Sequence, residues 1–564
     1  MLDCTAGRLT VTVLAVTLVL SSGRDPVAQD MPVMSAMADE LDRSMKSLRL
    51  KDQPAPYYIE YEVEDRVSTR VTARLGSLVE NLSGRGRLLR VGVRVGGYEF
   101  DNSLFNAPGG GLQAEGTSSA PLDENYDAMR RRIWLATDAA YRRAVSQFAR
   151  KTAAFQNRAT REVIPDFSRE TPVETVLGAA APLRARGDWA EAVKQISRVF
   201  LSARGIGNSD VAVTETRGTR YYLNSEGFKV VAPVQIASLR VSADAESNDG
   251  LTLRDAFTLV ERNLQDLPPA PEIAERARGM VEGLRAQRGA PIGEEYTGPV
   301  LLEGQASAEL VMQVLVPALL ARRPPEVVGR GGGRGGRGGG EVTPFLRRIG
   351  LRVLSEPFSV SDTPSLREID GRPVPGAYHV DDYGIRAKDV SLVEKGRLVT
   401  LLAGRAPLRG LTQSNGHTRG GDVQAGVLQM QSSEAVSAAA LRRKYLELLE
   451  AQDQPFGYIV RSLASPGDAP GGGPGAGPMI LQAVKVTRDG REEPVRGLRL
   501  GSVAPAAFRD LVDASKERTL YNVRVTTTDA VSIIVPDLIF EELEIQQARE
   551  ISQKPAVVRS PLSD

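Results

Sequence analysis

The sequence predicts an α+β protein in two domains, and three observations lead there. Runs of period-two alternation cluster together instead of taking turns with helices, which argues against regular βαβ units. Helical periodicity is confined to a few separated segments. Gly289, Pro291 and Gly293 interrupt the chain between two stretches of different rhythm and divide it near residue 290, into 31–290 and 291–564. A chain of 564 residues, 41% hydrophobic and 25% charged, can bury two sizeable cores.

Taken in order, residues 1–28 read as a secretory signal peptide. Arg8 supplies the positive flank, Leu9 to Leu20 is unbroken apolar residues and threonines, and small residues follow at Ser21, Ser22, Gly23 and Ala28. The apolar core is short for a membrane span, an uncleaved anchor being the alternative. The expectation is export to the periplasm or medium, with no membrane attachment after cleavage. Cys4, the one cysteine, precedes the apolar run, so cleavage leaves a chain with no thiol for disulfides, catalysis or metal binding.

A helix is predicted over 34–50 from Met37, Leu41, Met45 and Leu48. Strands follow at 57–63, 67–78 and 88–95, with Gly84 and Gly86 marking a turn. A long helix covers 123–155, and a shorter one starts at the N-cap Asp188, with Trp189, Val193, Ile196 and Phe200 on one face. A hairpin is predicted around Arg217 and Gly218, then strand through 230–241 and helices at 253–264 and 272–287. The second half reads as strand 299–302, helix 307–321, hairpin 390–394/398–402, helix 433–452, strand 481–487, helix 505–514 and strand 532–535. Two Gly-rich tracts, 329–340 and 465–478, read as loops.

Composition excludes several functions. With 71 basic against 70 acidic residues the net charge is +1, which supplies no field for nucleic acid, and 5% aromatics supply no stacking platform. The Arg-Gly-Gly repeats in the first glycine tract are short and sit in a chain expected to be exported. No HExxH, SxxK, GxSxG or GxxxxGK[ST] occurs. Two histidines and one cysteine cannot furnish a zinc site of the usual kind. His379 stands before Asp381 and Asp382, a pair read as a solvated turn rather than a metal site. His417 lies in Ser414-Asn415-Gly416-His417-Thr418-Arg419, a polar loop in which it reads either as an exposed side chain or, with Asn415 and Arg419, as a peptide contact.

Several phrases together resemble the TldD/PmbA family of metallopeptidase-like proteins. Asp381-Asp382-Tyr383-Gly384 resembles its DDEG-type turn, Ser391 to Leu398 the following strand, turn and strand, and Ser414 to Arg419 its next loop. Tyr222-Leu223-Asn224-Ser225-Glu226-Gly227 is similar to its N-S-E-G hairpin, and Ile533 to Ile545 to its closing strands. The resemblance implies a two-domain architecture, with an N-terminal α/β domain and a C-terminal mainly antiparallel β domain. It also implies a helix bearing HExxxH with a later cysteine on zinc. Set against that motif, Glu303 falls at the first histidine, Gly304 at the glutamate and Ala308 at the second histidine, so the metal site is expected to be degenerate, with no catalytic residue, metal or cofactor. The resemblance implies a polypeptide partner, bound by strand addition, and a homo- or heterodimer with a TldD/PmbA-like subunit. The alternatives are a peptidase built on carboxylates such as Glu303, Glu309, Asp381 and Asp382, or a structural envelope protein.

Overall fold

The computed structural model describes residues 31–106, 117–156, 164–171, 173–176, 189–327, 343–465 and 477–548. The predicted signal peptide, Asp188, the loop 329–340 and most of 465–478 lie outside the described residues.

The first half is one twisted sheet with helices against it. Helix α1 (Pro32–Ser47) leads into a hairpin of two 19-residue strands, β1 (Pro56–Arg74) and β2 (Ser77–Val95). After α2 (Tyr126–Phe155) and α3 (Trp189–Ser197) come β3 (Ile206–Asn224), β4 (Lys229–Glu246) and β5 (Thr252–Glu261), then α4 (Ala270–Gly289). The strands lie in the order β2-β1-β3-β4-β5, all antiparallel, and the short strand Glu174–Val176 joins β4 in parallel. Alternation along the strands sends Ile59, Tyr61 and Val91 into a core with Met37 of α1 and Ile133 and Tyr141 of α2. Val211, Leu239 and Phe257 likewise pack with Ile196 of α3 and Ile273 and Val281 of α4.

The second half is a mixed, mainly antiparallel sheet. Its elements are β6 (Tyr296–Leu302), α5 (Gln305–Leu310), β7 (Phe358–Asp362), β8 (Val390–Glu394), β9 (Val427–Ser432), α6 (Ala438–Ala451), β10 (Phe456–Leu463), β11 (Ile480–Thr487), β12 (Glu492–Val495), β13 (Leu511–Arg524) and β14 (Ala530–Gln547). The order is β8-β7-β9-β14-β6-β10-β11-β12, with β13 also paired to β14. Only β9–β14 and β6–β10 among these neighbours run parallel. The fully buried Leu302, Leu310, Phe358, Tyr458, Val535 and Phe540 belong to one core cluster, so α5 is packed directly on the sheet.

The structure corrects several sequence expectations. The segments 57–63 and 67–78 are not separate strands: β1 runs through both, and the turn falls at Leu75–Gly76, where Gly76 has φ +77°. Gly84 and Gly86 lie inside β2. Arg217 and Gly218 are not a hairpin tip but the middle of β3. A Cβ at Gly218 would sit 1.9 Å from the Asp65 carbonyl oxygen of β1, so the glycine permits close strand approach rather than a turn. Segment 253–261 is strand, not helix, and Leu264 opens a 3₁₀ turn: Leu253, Phe257 and Val260 fit helical spacing, but Leu253, Asp255 and Phe257 alternate inward on β5. Segment 505–514 forms only a 3₁₀ turn, Pro505–Asp510, before β13 begins at Leu511. The helix expected over 307–321 starts at Gln305, passes through a π-helical turn at Val311–Leu315 and ends at Ala318.

The Gly218 contact gives the first testable outcome. Gly218→Ala should destabilise the chain by about 1–3 kcal/mol through overpacking against β1 backbone, measured by denaturant unfolding, whereas Gly86→Ala, with open space around its Cβ, should be close to neutral.

Candidate functional site

The two sheets are fastened by the segments that stood out in the sequence. In Asn224-Ser225-Glu226-Gly227, the Asn224 side-chain oxygen accepts from the Glu226 and Phe228 amides (3.0 and 3.2 Å) and shapes the turn between β3 and β4. Ser225 Oγ accepts from the Ile59 amide of β1 at 3.1 Å. That leaves Glu226 aimed across the domain boundary, where it accepts from both terminal nitrogens of Arg405 (2.6 and 2.9 Å). Arg405 is 1% exposed at its side chain, also donates to the Ser168 carbonyl, and lies 3.7 Å over the Phe167 ring. Its sequence signal is an arginine stranded in Leu401-Leu402-Ala403-Gly404-Arg405-Ala406.

The turn Asp381-Asp382-Tyr383-Gly384 packs on the same hairpin, with Ile385 clustering with Tyr222, Phe228 and Val230. It is not a solvated turn. Asp381 is 1% exposed and accepts from the Tyr383 and Ile385 amides (3.0 and 2.9 Å) and, at 3.3 Å, from that of Thr418; burial and then neighbouring Asp382 push its pKa up to about 7. Asp382 takes the Gly421 amide (2.9 Å) and faces Arg220 of β3 at 3.3 Å. Arg220 and Arg90 both pair with Glu62 (2.8 and 2.7 Å) and hold its carboxyl below the usual range against the opposing effect of burial.

The loop carrying Asn415, His417 and Arg419 is interior rather than exposed. His417 has 0% exposure, with Nδ1 at 2.9 Å from the Asn415 side-chain oxygen and Nε2 at 3.3 Å from Asp362 of β7. Asn415 donates to the Leu401 carbonyl and accepts from the Ala403 amide. Arg419 donates to the carbonyls of Ala425 and Ala530 (3.1 and 2.7 Å) and pairs with Asp529 at 3.4 Å. Of the three, Arg419 lines a cleft of about 410 Å³ between the sheets, together with Glu62, Arg220, Arg262, His379 and the β4 segment 232–236.

Glu303, Gly304 and Ala308 do not share a helical face. Glu303 follows the last residue of β6 and pairs with Arg461 at 3.2 Å, Gly304 donates its amide to Asp537 at 2.7 Å, and only Ala308 lies within α5. A helical HExxxH cannot begin at Glu303, since α5 begins at Gln305. The polar group that α5 does present is Glu309, 1% exposed. One of its oxygens accepts from Ser465 Oγ (2.5 Å) and from the Tyr521 hydroxyl of β13; the other accepts from Gln313 Nε2 (3.0 Å) in the π-helical turn. Helix α5 and its continuation to Ala318 contain no histidine or cysteine. Among the described residues, no three His, Cys, Asp or Glu side chains are grouped to hold a metal ion. Ser465 and Tyr521 carry no sequence signal, since nothing in the spacing ties either of them to Glu309.

A buried carboxylate beside the cleft predicts a pH effect. Glu261 ends β5 with one oxygen lacking a hydrogen-bond partner, and burial pushes its pKa up to about 7, with Arg372 opposing and Asp266 adding to the rise. Asp255, burial-raised to about 6, and Asp381 act in the same direction. The folded state therefore holds protons that the unfolded state has released, so stability falls as pH rises from about 4.5 to about 7. Glu261→Gln should flatten that slope in urea midpoints measured across the range, and an unchanged slope would contradict the assignment.

The class that the geometry defines is a strand-rich α+β protein in which a helix leaves the central strand β6 straight into the sheet core. Residues 295–547 match the PmbA/TldA metallopeptidase C-terminal domain. The match to the TldD/PmbA family therefore lies in the second half of the chain and covers a little under half of its length. Solved structures agree over nearly the whole fold. TldE from Thermococcus kodakarensis has a TM-score of 0.57 at 17% identity, covering 90% of this chain and 99% of that one. Candidate modulators of DNA gyrase from Thermotoga maritima (0.56, 15% identity, 87% and 96%) and Bacteroides thetaiotaomicron (0.57, 12%, 91% and 98%) have the same fold. No curated protein matches the sequence.

Proposed function

We propose that this chain is an exported, metal-free member of the TldD/PmbA family that binds extended polypeptide in the cleft between its sheets, by itself or as a subunit beside an active homologue. The observation that carries the reading is an interruption in the outer edge of β4. The strand Glu174–Val176 pairs with 229–231 and β5 pairs with 237–246, so among the described residues the outer edge of 232–236 has no strand partner. Those five residues line the cleft. An unpaired strand edge inside a polar cleft offers main-chain acceptors and, apart from Pro233, which has no N–H, main-chain donors to an added strand, largely independent of the added sequence. Family members form complexes, which supports the subunit arrangement.

The donor chemistry supports the metal-free part. Zinc takes three or four ligands from histidine, thiolate and carboxylate. The helix offers Glu309 alone, and both its oxygens already accept protein hydrogen bonds. Those residues do not fit a zinc ion. The reading as a carboxylate peptidase needs Glu303, Glu309, Asp381 and Asp382 to converge, yet Glu303 is held by Arg461 and Asp381 by backbone amides.

The binding half is tested by hydrogen exchange on the full chain with an unstructured polypeptide such as reduced casein. The β4 segment 232–236 should gain protection while the centre of β9 does not change. Casein that neither binds nor protects this segment would contradict the reading and leave the structural role.

A further inference from the structure

We propose that Arg262 and Arg367, with His379 beside them, form a site in the cleft for the C-terminal carboxylate of the bound polypeptide. The inference rests on the polypeptide reading above and adds an end-specificity to it.

The three side chains line the cleft, yet none has a carboxylate in ion-pair contact among the described residues. Arg262 follows the last residue of β5 and spends one N–H on the Ala377 carbonyl of the second domain. Arg367 contacts the His379 ring. Every other arginine lining this cleft is matched: Arg90 and Arg220 by Glu62, and Arg419 by Asp529. Burial, then Arg367 and Arg419, push the Arg262 pKa down, while burial and three arginines, 367, 262 and 386, do the same to His379. This end of the cleft therefore carries excess positive charge that an anion would relieve. A guanidinium with free N–H groups suits a planar carboxylate in particular.

The placement also sets a direction. Residue 261 lies opposite Ala237, so Arg262 stands at the 236 end of the open β4 edge. A strand filling that edge brings its C-terminus to Arg262 only if it runs parallel to β4, as the strand Glu174–Val176 already does. Chain ends, rather than internal segments, would then be the preferred ligand.

The test compares a fluorescently labelled unstructured peptide with a free C-terminal carboxylate against the same peptide as its C-terminal amide, by anisotropy on the full chain. Amidation should weaken binding to the unsubstituted protein about 10- to 100-fold, as expected for a charge-assisted contact. Arg262→Gln and Arg367→Gln should each weaken the acid form and leave the amide form unchanged, so that the two peptides converge. The acid–amide comparison on the unsubstituted protein needs no variant to fold. Equal binding of acid and amide would overturn this inference while leaving polypeptide binding intact, and binding of neither would overturn both.

Discussion

Arg405→Met should lower the stability of the folded chain by about 3–5 kcal/mol, the usual consequence of removing one partner from a buried ion pair. Arg405 lies in the second domain, and all its strong contacts lie in the first: Glu226 on two nitrogens, the Ser168 carbonyl and the Phe167 ring. Methionine fills much of the volume but strands Glu226, leaving it only the Tyr98 hydroxyl at 2.6 Å. Arg405→Lys should recover little, because an ammonium cannot reproduce the two-pronged contact or the stacking. Glu226→Gln in the Arg405→Met background should recover part of the loss, since no uncompensated charge remains, and a double-mutant cycle by urea unfolding measures the coupling. Additive effects of the two substitutions would show that the clasp contributes nothing as a pair.

Glu309→Ala is the second large effect, at about 1.5–3 kcal/mol, because charge-assisted hydrogen bonds are lost and the donors at Gln313, Ser465 and Tyr521 are left in a buried site. Glu309→Gln keeps an acceptor oxygen and should cost less. The metal content separates this structural role from ligation. If Glu309 serves only protein donors, neither substitution changes the metal bound by the purified chain. A fall in bound metal in Glu309→Gln at unchanged stability would make it a ligand.

Much of the architecture is legible in the sequence because it rests on local patterning. The alternating runs of β1, β4 and β14 and the amphipathic faces of α1, α2 and α6 lie close to where periodicity puts them. Periodicity fails where one pattern fits two structures or where glycine has two uses. Leu253, Phe257 and Val260 satisfy helix spacing while Leu253, Asp255 and Phe257 satisfy strand alternation, and only pairing with β4 decides for strand. Gly218 looks like a turn residue until the Asp65 backbone is seen against it. The motif segments are visible in the sequence, but what they hold together is not. Glu226 and Asp382 read as turn residues, and the arginines that engage them, 405 and 220, lie 179 and 162 positions away in sequence. His417 reads as exposed because a Ser-Asn-Gly loop is usually at the surface. Its burial depends on Asp362, 55 positions upstream. The motif placed against Glu303 and Gly304 needs a helix there, whereas α5 starts at Gln305, after Gly304 has donated its amide to Asp537 across the sheet, with no side-chain cap.

The central proposal is that this chain keeps a TldD/PmbA-like fold without binding zinc. Untagged protein, purified after growth with added zinc, should be measured for metal per chain by mass spectrometry and assayed on a peptide library with and without chelator. The account predicts no stoichiometric zinc and no chelator-sensitive cleavage, with peptide binding intact. A full equivalent of zinc per chain, together with cleavage that chelator abolishes and zinc restores, would contradict it.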